Sequence, residues 1–201
     1  MIDRRTFAIA CWVCSAGALA ACSSTSAPLR WYRLPSEPPA GEPAPRTAAG
    51  AASSVAVWEL VPALPMPELL GRDTLLVEEG EAGIRLLHGH RWAEPLRDAL
   101  PRLLRDDLAR VVPGLWTGPA APNVALAGRV QVELLALQGS LPRRQVALAA
   151  RWVVTPAGAS ATPRAYRIDE AVPWTEASPE SLVVAQRVAM WRLAQRIASS
   201  L

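Results

Sequence analysis

Two histidines, three cysteines and a few adjacent carboxylates are the residues of this chain best suited by type to chemistry. His88-Gly89-His90 is the one histidine cluster. An H-x-H pair can ligate a metal, but a zinc site takes three or four ligands, and the spacing places no third one nearby. Exposed or hydrogen-bonded histidines at a strand–helix junction account for the pair better. A serine hydrolase needs a nucleophile in a recognisable turn and a histidine base. No G-x-S-x-G occurs, and only His88 and His90 could be that base. Glu78-Glu79 and Asp106-Asp107 are neighbours in sequence, so their side chains diverge on a strand or helix and neither makes an acid–base pair. The phosphate-cradling G-x-x-x-x-G-K-[ST] and the dinucleotide G-x-G-x-x-G are both absent. No enzyme is expected from this set.

The cysteines all fall at one end, Cys11, Cys14 and Cys22, followed by 179 residues without another. Cys11 and Cys14 have the spacing of a redox C-x-x-C, but no βαβ pattern surrounds them. They lie in an apolar run, Phe7 to Ala21, preceded by Arg4 and Arg5. A positive start, an apolar stretch too short to cross a bilayer and a small-residue ending are the anatomy of an export signal. Residues 1–21 are therefore expected to be removed, with both cysteines. Asp3-Arg4-Arg5-Thr6-Phe7 is similar to a twin-arginine export motif, although arginine is so common here that general secretion fits as well. With one cysteine left, no internal disulfide can form and stability must come from the core.

That remaining thiol would be a reactive liability in an exported protein. Leu19-Ala20-Ala21-Cys22 has the form of a bacterial lipobox, in which the cysteine is diacylated and becomes the first residue. Each buried acyl methylene contributes about 0.8 kcal/mol, and two chains together anchor stably. Ser23, where an aspartate would favour the inner membrane, points to the outer membrane of a Gram-negative cell. Cys22 is thus the expected lipidation site, and no cofactor is expected beyond that covalent lipid.

All 21 basic residues are arginine, and the part after residue 21 carries 19 of them against 17 acidic residues. No basic stretch is interleaved with aromatics, so nucleic acid is not an expected partner. Residues 22–29 read as a lipidated tether and 30–201 as one domain. Arg30 to Pro35 alternates as a short strand, and the Pro- and Ala-rich residues 36–54 read as a flexible loop. Val55 to Leu60 is a second strand, after which prolines 62, 65 and 67 bar helix or central strand. Leu75–Glu78 and Ile84–Leu87 flank a glycine-containing turn as a β-hairpin. Leu96, Leu100, Leu103, Leu104, Leu108 and Val111 then form a helical stripe, with Pro101 predicting a kink or a later start.

Val124–Gly139 and Gln145–Val154 alternate as an antiparallel pair, and Ala165–Val172 as a third strand. Ser178-Pro179-Glu180 opens a last helix that is apolar over more than one face, with Trp191 off its main stripe. The fold class is α+β, a largely antiparallel mixed sheet with two packed helices in the order β-β-(β-hairpin)-α-β-β-β-α. Trp31, Trp58, Trp152 and Trp174 fall in or beside strands, where core packing is the default. Trp92 can be read as a staple fixing the helix entry or as an interface anchor.

His90-Arg91-Trp92-Ala93-Glu94-Pro95-Leu96, with the lipobox, Tyr32–Pro35, Arg129–Glu133, Ala150–Trp152 and the long last helix, resembles the PqiC-like ABC-type transport auxiliary lipoproteins. The resemblance implies a non-enzymatic periplasmic lipoprotein of an MCE-type lipid transport system, holding its outer-membrane end. It implies an MCE-domain protein, with an inner-membrane permease and ATPase or a PqiA-like protein, as partners, and leaves a homo-oligomer open. His90, Arg91, Trp92, Glu94, Leu96 and Trp191 are the partner-interface candidates. A free-standing periplasmic lipid-binding or envelope-structural lipoprotein is the alternative.

Overall fold

The structure, a computed structural model, describes residues 28–42, 57–112, 114–116 and 125–201. The expected export signal, Cys22, and residues 43–54 of the expected flexible loop lie outside the described residues.

The longest strand organises the sheet. In β6 (Leu126–Ser140), Val130, Val132 and Leu134 are buried while Arg129 and Gln131 face water. A register shift between Leu134 and Ala136 then adds one residue, so the next core side chain is Leu137, at odd parity. Such a bulge changes which face a strand buries from that point on. β7 (Gln145–Pro156) pairs antiparallel along nearly all of β6, and β8 (Arg164–Pro173) pairs antiparallel with β7. The turn between β6 and β7 places Arg144 at φ 51°, in the left-handed region.

The other edge of β6 is shared. β2 (Val57–Leu60) lies parallel to residues 126–130, and β5 (Leu115–Trp116) parallel to β2. β3 (Thr74–Glu79) lies parallel to β6 only at Gly139 and Ser140. Between these pairings the proline-rich segment follows the β6 edge without becoming a strand. Val61 N donates to Val130 O at 2.9 Å, and Leu134 N donates to Pro65 O at 2.9 Å. Three missing backbone donors prevent any closer ladder there. β3 turns through Gly80 into β4 (Gly83–Trp92), and β1 (Arg30–Tyr32) pairs parallel with the end of β4. The sheet therefore has eight strands, with long antiparallel and short parallel pairings.

Two helices complete the α+β fold. α1 (Leu96–Val111) starts at Leu96 and runs through Pro101, so the later start is corrected. Pro101 lies in the second turn and leaves the carbonyl of Arg97 without its usual intrahelical donor. α2 (Pro179–Ala198) packs on β6, β7, β8 and α1 together, which uses its broad apolar surface within the domain. Its N-cap is Ser178, whose side chain accepts from Ser181 N at 3.1 Å. Ser178→Ala is expected to lower stability by about 1 kcal/mol in urea denaturation. An unchanged midpoint would show that Pro179 and Glu180 suffice to start the helix.

Several features depart from the expectations. A 3-10 turn, Glu68–Gly71, and the two-residue β5 were not foreseen. Trp58, Trp152 and Trp174 are core residues, but Trp31 is 60% exposed. Residues 36–42 are held against the helices: Arg110 donates to Ser36 O at 2.7 Å, Arg187 Nε to Glu37 O at 3.1 Å, and Arg192 to Glu42. Arginines from two helices fix a segment that has too little apolar bulk to pack by itself.

Candidate functional site

The HRWAEPL segment forms a corner where β1, β3, β4 and the start of α1 meet. Trp92 N donates to Asp73 O and Ala93 N to Tyr32 O, each at 2.7 Å, so the backbone is bound on both sides. Pro95 then caps α1 with extended backbone, as its fixed φ and missing N–H permit. Arg91 pairs with Asp73 and donates to Thr74 Oγ1 at 3.0 Å, and Glu94 pairs with Arg102.

His90, Tyr32 and Glu180 form a chain of polar contacts across three elements. The Tyr32 hydroxyl lies 2.8 Å from His90 Nδ1 and donates to Glu180 Oε1 at 3.1 Å. With its one proton given to Glu180, the tyrosine oxygen is left to accept from an Nδ1–H of His90. Backbone hydrogen bonding at the start of α2, then the Tyr32 hydroxyl, lower the Glu180 pKa. Desolvation and the Glu180 carboxylate raise that of Tyr32. This chain of contacts ties the N-terminus of α2 to β1 and β4.

The interface candidates divide by burial. His90, Arg91 and Glu94 are half-buried and present polar groups at the surface of the corner. Trp92, 6% exposed, and Leu96 belong to the core, as does Trp191 three turns along α2 from Glu180. These two indoles and one leucine supply core volume, so of the six candidates only His90, Arg91 and Glu94 present side chains at the surface of this structure. His88 is exposed, and among the described residues no group of three His, Cys, Asp or Glu converges on a metal position. Cys22 lies outside the described residues.

A second polar centre went unread in the sequence. Asp107 accepts from Arg187 Nη1 and Nη2, both at 2.7 Å, in a bidentate pair buried between α1 and α2. The guanidinium also stands 5.8 Å from the Trp191 ring centroid. Burial raises the Asp107 pKa to about 6, against the lowering influence of Arg187 and, at 3.6 Å, Arg110. The signal was the helical stripe itself. Asp107 stands three residues after Leu104 and four before Val111, on the apolar face.

Beneath the corner, Leu70, Leu75, Trp92, Leu96, Leu182 and Gln186 line a crevice with room for about one water molecule. Gln138 Nε2 and Gln186 Oε1, both in its wall, have no hydrogen-bond partner. A crevice of this size and lining cannot hold a drug-sized ligand without opening.

A family model described as the ABC-type transport auxiliary lipoprotein component matches residues 32–198, from β1 to the end of α2. The chain belongs to this family. The match covers most of the chain and bears out the resemblance drawn from HRWAEPL. The auxiliary-lipoprotein family is a family of transport components and not of enzymes. The fold has solved relatives. The crystal structure of an uncharacterized protein superposes with a TM-score of 0.62 at 14% identity, covering 87% of this chain and 99% of the other. Protein XCC0632 from Xanthomonas campestris, of the family model DUF330, gives 0.54 at 11% identity, covering 84% and 92%. At such identities the likeness shows a shared fold and nothing more. No curated protein matches the chain.

Proposed function

We propose that this auxiliary lipoprotein is a non-enzymatic component of an MCE/ABC-type intermembrane lipid transport system, held at the periplasmic face of the outer membrane by acyl chains on Cys22. The observation that carries the reading is one of position. The family match begins at residue 32, ten residues after the lipobox cysteine, so a short tether joins anchor and transport-component domain. No helix among the described residues is long and apolar enough to cross a membrane, which leaves the acyl chains as the attachment in this reading. Ser23 favours outer-membrane sorting. The half-buried His90, Arg91 and Glu94 corner supplies polar contacts for an MCE-domain protein reaching across the periplasm.

Cross-linking in cells followed by affinity purification is expected to recover an MCE-domain protein, together with a permease and ATPase or a PqiA-like protein. Recovery of stoichiometric lipid with no MCE-domain protein would overturn this reading in favour of a free-standing lipid-binding lipoprotein.

A further inference from the structure

One apolar surface is left unused by the core and the corner. In register, Trp31 lies beside Arg91, Arg91 beside Thr74, and Leu86 beside Leu76. Thr74 and Leu76 are alternate residues of β3, so all these side chains leave one face of the sheet. The residues between and beyond them, Leu75 and Val77, fill the core on the other face. Ile84, opposite Glu78, extends the outer row. Leu29 precedes β1 by one residue and shares the parity of Trp31. Its neighbour Pro28 places a carbonyl 3.7 Å from where a Cβ on Gly89 would stand, so the chain still runs beside β4 there.

On this face Leu29 is 49% exposed, Trp31 60%, and Ile84 and Leu86 45% each. The charges around them are mostly paired, leaving Glu81 in the β3–β4 turn and, beside Trp31, Arg33. The strand carboxylates Glu78 and Glu79 are engaged by Arg143 and Arg85, and Asp73 by Arg91. Arg33, exposed and of the same parity as Trp31, has no ion-pair partner among the described residues.

We propose that this face of β1, β3 and β4 docks on the phospholipid surface into which the acyl chains of Cys22 insert. The inference rests on the anchor reading above and adds an orientation to it. Five residues, Ser23 to Ala27, separate Cys22 from Pro28. Fully extended, that stretch reaches no more than about 22 Å, at 3.3–3.6 Å per residue. The start of β1 is therefore leashed to the headgroups, and the patch begins at the leash. A tryptophan ring flanked by leucine and isoleucine suits the boundary between headgroups and acyl chains. Arg33, beside Trp31 and without an ion-pair partner among the described residues, suits the lipid phosphates, and the attraction between a basic side chain and anionic lipid favours the same face.

The test reconstitutes the protein purified from membranes into phosphatidylethanolamine–phosphatidylglycerol vesicles whose acyl chains are brominated near the headgroup. Tryptophan emission is expected to be quenched, and Trp31→Phe to remove most of the quenchable part without changing the thermal melt. Ile84→Glu with Leu86→Glu, both at exposed positions, is expected to reduce quenching of Trp31 while the protein stays in the vesicle fraction. Equal quenching in the wild type and Trp31→Phe overturns the proposal. So does a Trp31 that lipid leaves unquenched but that cell envelopes shield from aqueous iodide, the mark of a protein partner on this face. Mass analysis of the N-terminal peptide keeps the two readings apart. An unacylated Cys22 overturns the anchor, while quenching of Trp31 on added vesicles still decides the face.

Discussion

Replacing Arg187 with methionine is expected to lower stability by about 3–5 kcal/mol at neutral pH, the usual cost of breaking a buried ion pair. The substitution keeps much of the aliphatic volume but removes three tethers at once. Asp107 loses both of its 2.7 Å bonds, Glu37 O loses its donor, one of three arginines that hold residues 36–42 to the helices, and Trp191 loses the cation beside its ring. Arg110, at 3.6 Å, is left as a weaker partner for a carboxylate out of contact with water. The sign of the pH dependence follows from Asp107. Its pKa is about 6 in the folded protein against an ordinary 3.8, so between these values the folded state holds a proton that the unfolded chain has lost. Stability from this group therefore falls as pH rises from about 4 to about 6. Without Arg187 the folded value moves still higher, so the variant's deficit is expected to be larger at about pH 7.5 than at about pH 5. Adding Asp107→Leu to Arg187→Met is expected to recover more than half of the loss, because a buried apolar pair has no charge to desolvate. Urea unfolding of the wild type, both single variants and the double variant measures this. A single-variant loss under about 1 kcal/mol, the worth of an exposed pair, would contradict the buried reading.

The Arg187 pair also marks what the sequence could and could not disclose. Features made by neighbours along the chain were legible: the Leu75–Leu87 hairpin, the alternation of Val130, Val132 and Leu134, and the Ser178 cap. Each depends on a spacing of two to four residues or on one short turn. The parallel pairings were not, because Trp58 meets Gly128 and Trp31 meets Arg91 across long separations in sequence, and alternation within a strand does not say which strand lies beside it. Trp31 misled for that reason. Its strand was visible, but which face of it would be covered depends on β3 and β4, whose bulge resets the register between Thr74 and Leu76. Along the chain, Asp107 stands only beside Asp106. Its partner is 80 residues away, on the helix packed against its own. At the HRWAEPL corner the order of residues was visible, yet it took the fold to separate those facing out from those filling the core.

That separation sets the largest expected effect at the corner itself. Trp92→Ala is expected to cost about 3–5 kcal/mol, because the indole is buried in the wall of the crevice that Leu70, Leu75, Leu96 and Leu182 also line, and its removal enlarges that space into a cavity. Arg91→Ala removes a partly exposed pair with Asp73 and is expected to cost no more than about 1 kcal/mol. The two readings of Trp92, staple and interface anchor, then predict different patterns. A staple acts through the domain, so Trp92→Ala should lower the melting temperature and reduce partner capture only where the fold begins to fail, with capture restored on cooling. A contact acts directly, so Arg91→Ala should reduce capture while the melt stays in place. Thermal melts alongside cross-linked capture of the MCE-domain protein at two temperatures decide between them. Capture lost in Trp92→Ala with an unchanged melting temperature would make the indole an interface anchor, one exposed by a rearrangement of the corner on binding.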